Sequence, residues 1–220
     1  MKVLLFGATG TAGGGILRAC LDDPAVDEVR ALVRRPMKLA HEKLRAIDHH
    51  DYLDYTPIAA VFEGVDACLY ALGISVTQTS DDAEYRTIIH DYALAAARQL
   101  KAGSPNAVLH YISGQGTRRD SRMMWARVKG ETERDLPPIV DTVCWRPGYI
   151  DGGVTNKSGP RLYRAIRPAF RLLRNFRSIY VTSEDIGRAM IQATVENVRG
   201  GVIENRRIRE LAQKRGTAKN

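Results

Sequence analysis

Residues 1–23 read MKVLLFGATGTAGGGILRACLDD. The run Lys2 to Phe6 is, after its lysine, apolar without alternation, the pattern of a strand buried on both faces, and it stops at Gly7. From about Gly13 to Leu21 the apolar residues Ile16, Leu17 and Cys20 recur at helical spacing, and Asp22, Asp23 and Pro24 close the segment. A buried strand that runs through glycines straight into a helix sets the expectation for everything downstream.

The same alternation continues along the chain. Strand patterns are expected at Glu28 to Val33, Leu44 to Asp48, Ala67 to Leu72, Ala107 to Ser113 and Thr142 to Arg146, with a last short one over Val195 to Glu204. Helical patterns fall at Ile58 to Phe62, Ala83 to Ala102 and about Met123 to Leu136. Strands separated by helices pair in parallel through right-handed crossovers, so the expected fold class is α/β: a single Rossmann-type doubly wound parallel sheet with helices on both faces. No repeat, linker or low-complexity tract divides residues 1–220, which read as one domain. The basic stretch 206–220 has few apolar residues; Ile208, Leu211 and Ala212 allow one short helix, and a solvated terminus is the preferred reading.

Bulk properties exclude several classes. An apolar content of 44% with 26% charge is that of a folded globular chain. No apolar run approaches the roughly 20 residues that span a bilayer, and the amino terminus lacks the pattern of a signal peptide, so a cytoplasmic protein is expected. Cys20, Cys68 and Cys144 are scattered through apolar stretches and read as reduced, buried thiols. The net charge of +8 suits an anionic ligand but does not specify one.

The segment Gly7-Ala-Thr9-Gly10-Thr11-Ala12-Gly13 carries the chemistry. Glycines between a first strand and a first helix permit a tight turn and close backbone approach to a pyrophosphate, and the amides at the helix start attract its charge. At the end of the second strand, an acidic residue would bind the adenosine ribose hydroxyls; Arg34 and Arg35 stand there instead, and guanidinium groups fit a 2′-phosphate. NADP(H) is therefore expected ahead of NAD(H).

These features, with SGQG at Ser113 to Gly116 and Lys129 within WARVKGETE, resemble the short-chain dehydrogenase/reductase superfamily, and within it the small atypical group of Tat-interacting-protein-like and NmrA-like proteins. RPGYI at Arg146 to Ile150 and VTSEDIGRAM at Val181 to Met190 follow in the order that group shows. The resemblance implies that Asp51 and Tyr52 flank the adenine and that Ala71, Leu72 and Gly73 line the cofactor. It also implies that Lys129 bonds the nicotinamide ribose, that Ser113 and Tyr149 lie near the reacting centre, and that Pro147, Gly148 and Tyr149 shape the nicotinamide pocket.

One position departs from the superfamily. Its active members carry Tyr-x-x-x-Lys, the tyrosine giving up a proton as hydride arrives. Here Trp125 occupies the tyrosine position, and an indole N–H donates a hydrogen bond without releasing its proton near neutral pH. Three readings stay open. Tyr149 or a water held by Ser113 supplies the proton; the acceptor is a flavin or quinone protonated by solvent; or the chain binds the nucleotide without turnover and regulates a protein partner as a redox sensor.

Other constellations carry less. His49, His50 and Asp51 alternate faces on an extended segment and do not converge as metal ligands. Ser113 lacks the G-x-S-x-G elbow of a hydrolase. Arg161, Arg164, Arg167, Arg171 and Arg174 would share one face of a helix at 161–177, leaving an anionic partner open although nucleic acid and membrane are not favoured. A small-molecule substrate is expected without its identity, and exposed helices allow a homodimer.

Overall fold

The structure is a computed structural model that describes residues 1–79, 81–152 and 178–217. The arginine-rich helix expected at 161–177 lies outside the described residues. In chain order the regular elements are β1 (Lys2–Phe6), α1 (Thr11–Asp22), β2 (Glu28–Val33), β3 (Leu44–Asp48) and β4 (Ala67–Tyr70). There follow α2 (Asp82–Arg86), α3 (Tyr92–Gly103), β5 (Val108–Ile112), α4 (Met124–Asp135), β6 (Thr142–Arg146) and β7 (Tyr149–Asp151). After the undescribed stretch come β8 (Tyr180–Thr182), α5 (Ser183–Val195), β9 (Val202–Glu204) and α6 (Asn205–Thr217).

Seven strands form one parallel sheet in the order β3-β2-β1-β4-β5-β6-β9, and β7 pairs with β8 in a small parallel ribbon. The order reverses between β1 and β4, which lie side by side with Phe6 level with Tyr70. That neighbourhood is the topological switch point, where open α/β sheets leave a crevice at the carboxyl ends of their strands.

Both faces of the sheet are covered, which is why β1 is apolar without alternation. Val3 and Leu5 point into a core with Ile16 and Leu17 of α1, Met190 of α5 and Ile208 of α6. Leu4 and Phe6 point into the opposite core, under Ala93, Ala96, Ala97 and Leu100 of α3. The second core joins large rings to small residues: Phe6 contacts Tyr70, Tyr55 and Phe62 at centroid distances of 4.9, 5.9 and 6.2 Å, and the alanines of α3 leave room for them.

Four expectations need correction. The segment Ala83 to Ala102 is not one α-helix: a π-helical turn, Thr87–Asp91, separates α2 from α3. That turn carries the buried His90, whose Nδ1 meets Asp91 at 2.7 Å and whose Nε2 meets Asp135 of α4 at 3.0 Å. The Ile58 to Phe62 helix is a 3-10 segment, Thr56–Phe62, kinked at Ile58. Val195 ends α5 instead of opening the last strand, which is only Val202–Glu204. Helix α5 is capped by Thr182, whose Oγ1 accepts the Asp185 amide at 3.0 Å, and Glu184 and Asp185 fill its first turn.

The fourth concerns the carboxyl end. Residues 205–217 are not a solvated tail but helix α6, with Ile208, Leu211 and Ala212 buried. Arg215 forks onto Asp23, Nε to Oδ2 at 2.9 Å and Nη2 to Oδ1 at 2.6 Å, and Asp23 is 0% exposed. A buried carboxylate needs a counter-charge, and the helix docks where it can supply one.

Candidate functional site

The loop from β1 to α1 is shaped by close backbone approach. Gly7 has φ +76°, and a Cβ there would stand 2.5 Å from the Ala71 carbonyl oxygen. A Cβ on Gly13 would fall 1.9 Å from the Gly7 carbonyl oxygen. Neither position admits a side chain, so the turn folds tightly onto the end of β4. Gly10 is the N-cap of α1; it offers no side-chain cap, and the first turn holds no acidic residue. By contrast, α2 begins with the Asp81 side chain on the Ala83 amide and α5 with its threonine cap. The amides of Thr11, Ala12 and Gly13 thus open the helix without a side-chain cap, at the positive end of its dipole and beside exposed Thr9 and Thr11. This fits a pyrophosphate.

Around the turn, the sequence-predicted residues occupy distinct places. Arg34 and Arg35 follow β2 and are both exposed. The strand register puts Asp48 opposite Val33, one residue before Arg34, with its carboxylate 3.2 Å from His50. Asp51 is exposed, its Oδ1 accepting the Leu53 amide at 2.9 Å. Tyr52 is buried, stacked on Tyr92 at 5.6 Å, and burial raises its pKa above the ordinary value while Arg34 opposes the shift. Tyr52 is thus part of the aromatic core beside the site. Ala71 and Leu72 are partly buried against Gly7, and Gly73 is exposed.

On the other side of β1, the ends of β5 and β6 frame a cavity of about 400 Å³ lined by Gly114, Gln115, Gly116, Trp125, Pro147, Gly148 and Tyr149. The Trp125 ring lies along the Gly114 to Gly116 turn, 3.8 and 3.7 Å from where Cβ atoms of those glycines would stand. Ser113 is buried, and its Oγ shares a 3.0 Å hydrogen bond with Thr117 Oγ1, so its hydroxyl is engaged within the loop. Lys129, one turn after Trp125 on α4, donates to the carbonyl oxygens of Ser113 at 2.8 Å and Ile112 at 3.3 Å. Burial pushes its pKa down to about 8, and Glu133 pulls the other way. The structure therefore gathers Trp125, Pro147, Gly148 and Tyr149 on one cavity and sets Lys129 and Ser113 beside it, at the end of β5.

Sequence reasoning did not single out Asn205, Gln115 or Thr117. Asn205 Oδ1 accepts the Gly148 amide at 2.9 Å, and the Gln115 amide donates to the Pro147 carbonyl at 2.9 Å. Asn205 and Gln115 matter through partners far along the chain, and Thr117 through the Ser113 hydroxyl four residues before it.

A glycine turn under an uncapped helix at the switch point, with a cavity toward β5 and β6, defines a Rossmann-type protein for a nicotinamide dinucleotide. Comparison with known proteins agrees. A family model described as NAD(P)H-binding matches residues 7–127. The chain is 30% identical over 182 residues to "Protein FMP52, mitochondrial" of Saccharomyces cerevisiae, covering 75% of this chain and 78% of the yeast protein. It is 28% identical over 142 residues to "NmrA-like family domain-containing oxidoreductase hkm9" of Aspergillus hancockii, covering 60% of this chain and 40% of that protein. Among solved structures, the Bordetella bronchiseptica enzyme WbmF in complex with NAD+ superposes with a TM-score of 0.69 at 15% identity, over 98% of this chain and 77% of that one. The chain belongs to the NAD(P)H-binding family, in the atypical short-chain dehydrogenase/reductase and NmrA-like group. The expected cytoplasmic location is corrected by the FMP52 relatives from several fungi, which are named as mitochondrial proteins.

Proposed function

We propose that this protein is an NADPH-dependent oxidoreductase whose acceptor takes its proton from solvent, as a quinone or flavin does. The observation that carries the reading is Trp125 on the cavity wall at the position where the superfamily pattern has its tyrosine, with Ser113 Oγ already engaged by Thr117. Bound NADPH would supply hydride. The amides of Thr11, Ala12 and Gly13 hold the pyrophosphate, Arg34 and Arg35 the 2′-phosphate, and the Lys129 ammonium a ribose hydroxyl. The Trp125 indole offers a flat apolar surface for a planar acceptor and excludes water from one side of the cavity. Tyr149 carries the one hydroxyl among the described residues lining this cavity and is the group to which carbonyl reduction would turn.

The test is loss of NADPH absorbance against quinones, free flavins, ketones and aldehydes, with Lys129→Ala and Tyr149→Phe beside the wild type. Quinone or flavin turnover lost in Lys129→Ala and retained in Tyr149→Phe supports the proposal. Ketone turnover that disappears in Tyr149→Phe would replace it with carbonyl reduction. Tight NADPH binding with no turnover across the panel would leave the regulatory reading in its place. For the nucleotide itself, Arg34→Ala with Arg35→Ala should weaken NADPH by about tenfold or more, the value of lost charge-assisted phosphate bonds, and leave NADH nearly unchanged. Equal losses for both would remove the 2′-phosphate assignment.

A further inference from the structure

The first residue of α6 is tied to the wall of the cavity. Asn205 is 2% exposed; its Oδ1 accepts the Gly148 amide at 2.9 Å and its Nδ2 donates to the Tyr180 carbonyl at 3.2 Å. Gly148 is a lining residue, and it has little freedom on its other side, where a Cβ would stand 2.2 Å from the Ile179 carbonyl oxygen. The neighbouring Tyr149 amide donates to that same Ile179 oxygen at 2.6 Å. One side chain from the end of the chain thus satisfies both the loop after β6 and the strand β8 that faces it.

The sheet order says which half of a dinucleotide this wall would meet. β2 and β4 flank β1 on opposite sides. In this class of fold the adenosine ribose is read at the end of β2, here at Arg34 and Arg35. A dinucleotide with its pyrophosphate on the Gly7 to Gly13 turn must then extend its other half over β4 and β5 toward β6, where the cavity lies. We infer that Asn205 is a positioning residue for the nicotinamide half: it fixes the Gly148–Tyr149 wall and touches no part of the ligand itself. The inference rests on the dinucleotide reading above and adds α6 to the site.

Two titrations test it, NADPH as the whole ligand and 2′,5′-ADP as the adenosine half alone, on the full chain. Removing the acceptor leaves the Gly148 amide without this partner, so Asn205→Ala should weaken NADPH by about tenfold. The affinity for 2′,5′-ADP should stay within about twofold, since no contact to that half is lost. Asn205→Asp keeps an oxygen for the Gly148 amide but turns a second oxygen toward the Tyr180 carbonyl, so it should recover part of the NADPH affinity and not all of it. The fluorescence of bound NADPH, which reports on the nicotinamide surroundings, should change in Asn205→Ala and return toward wild type in Asn205→Asp. Unchanged NADPH affinity in Asn205→Ala would overturn the inference. So would equal losses for both ligands, which would mean a general loss of structure. If Asn205→Ala fails to fold, Asn205→Ser is read in the same two titrations. A wild type that binds NADPH while Asn205→Ala binds it equally well would overturn this inference alone, whereas a wild type that does not bind NADPH would overturn the dinucleotide reading beneath it.

Discussion

Replacing Lys129 by methionine should stabilise the fold and damage the site together. The Lys129 side chain is only partly exposed, and burial lowers its pKa from the ordinary 10.5 to about 8. Below pH 8 the ammonium is charged in both the folded and unfolded chain, and the folded state carries the full cost of holding it. The gap between the two values corresponds to roughly 3 kcal/mol. Between pH 8 and 10.5 the unfolded chain binds the proton more tightly, so stability attributable to this residue rises with pH and the penalty is gone above 10.5. Methionine keeps an apolar stem and removes the charge. It also removes two hydrogen bonds, to the carbonyls of Ser113 and Ile112, a loss of about 1–2 kcal/mol in total. The balance at pH 7 is a gain of roughly 1–2 kcal/mol, a rise of a few degrees in Tm for a chain this long. At about pH 10 most of the penalty is already relieved, and the variant should be no more stable than wild type. Urea unfolding at the two pH values reads the difference directly, and NADPH titration at pH 7 should show weaker binding. A variant less stable than wild type at pH 7, or a difference that does not change with pH, would refute the reasoning.

Two further outcomes follow from the packing. Gly13→Ala should abolish NADPH binding, because its Cβ would lie 1.9 Å from the Gly7 oxygen, whereas Gly14→Ala meets only an ordinary 3.6 Å contact and should bind normally. Thermal melts should find Gly14→Ala more stable by up to about 1 kcal/mol from helix propensity. Arg215→Met leaves the Asp23 carboxylate buried without its guanidinium and should cost about 3 kcal/mol or more in urea unfolding. Adding Asp23→Asn should recover part of that loss; strict additivity would show that the two side chains do not interact.

The strands were legible because their physics is local. A run such as Val3 to Phe6 is apolar on both faces, and both are buried, Val3 and Leu5 in one core and Leu4 and Phe6 in the other. The glycine turn was legible for a related reason: residues close in sequence must crowd there, and the Gly13 to Gly7 approach is that crowding seen in space. Lys129 could be found from its motif, but the shift of its pKa could not, since the burial that lowers it is imposed by elements elsewhere in the chain.

What escaped the sequence depended on a partner far along the chain. The π-helical turn accompanies a contact from His90 to Asp135 on α4, which helical periodicity does not encode. The carboxyl helix looked solvated because its apolar residues are few and its arginines many; it is ordered by the Asp23 carboxylate and by the core beneath α1 and α5. Asn205 became a site residue only when folding brought α6 against the loop after β6. Thus the sequence by itself determined the α/β architecture, the phosphate turn and the odd tryptophan, all properties of spacing and residue type. The tertiary structure decided which polar groups are buried and what satisfies them, because that cost is settled between elements that meet only in the folded chain.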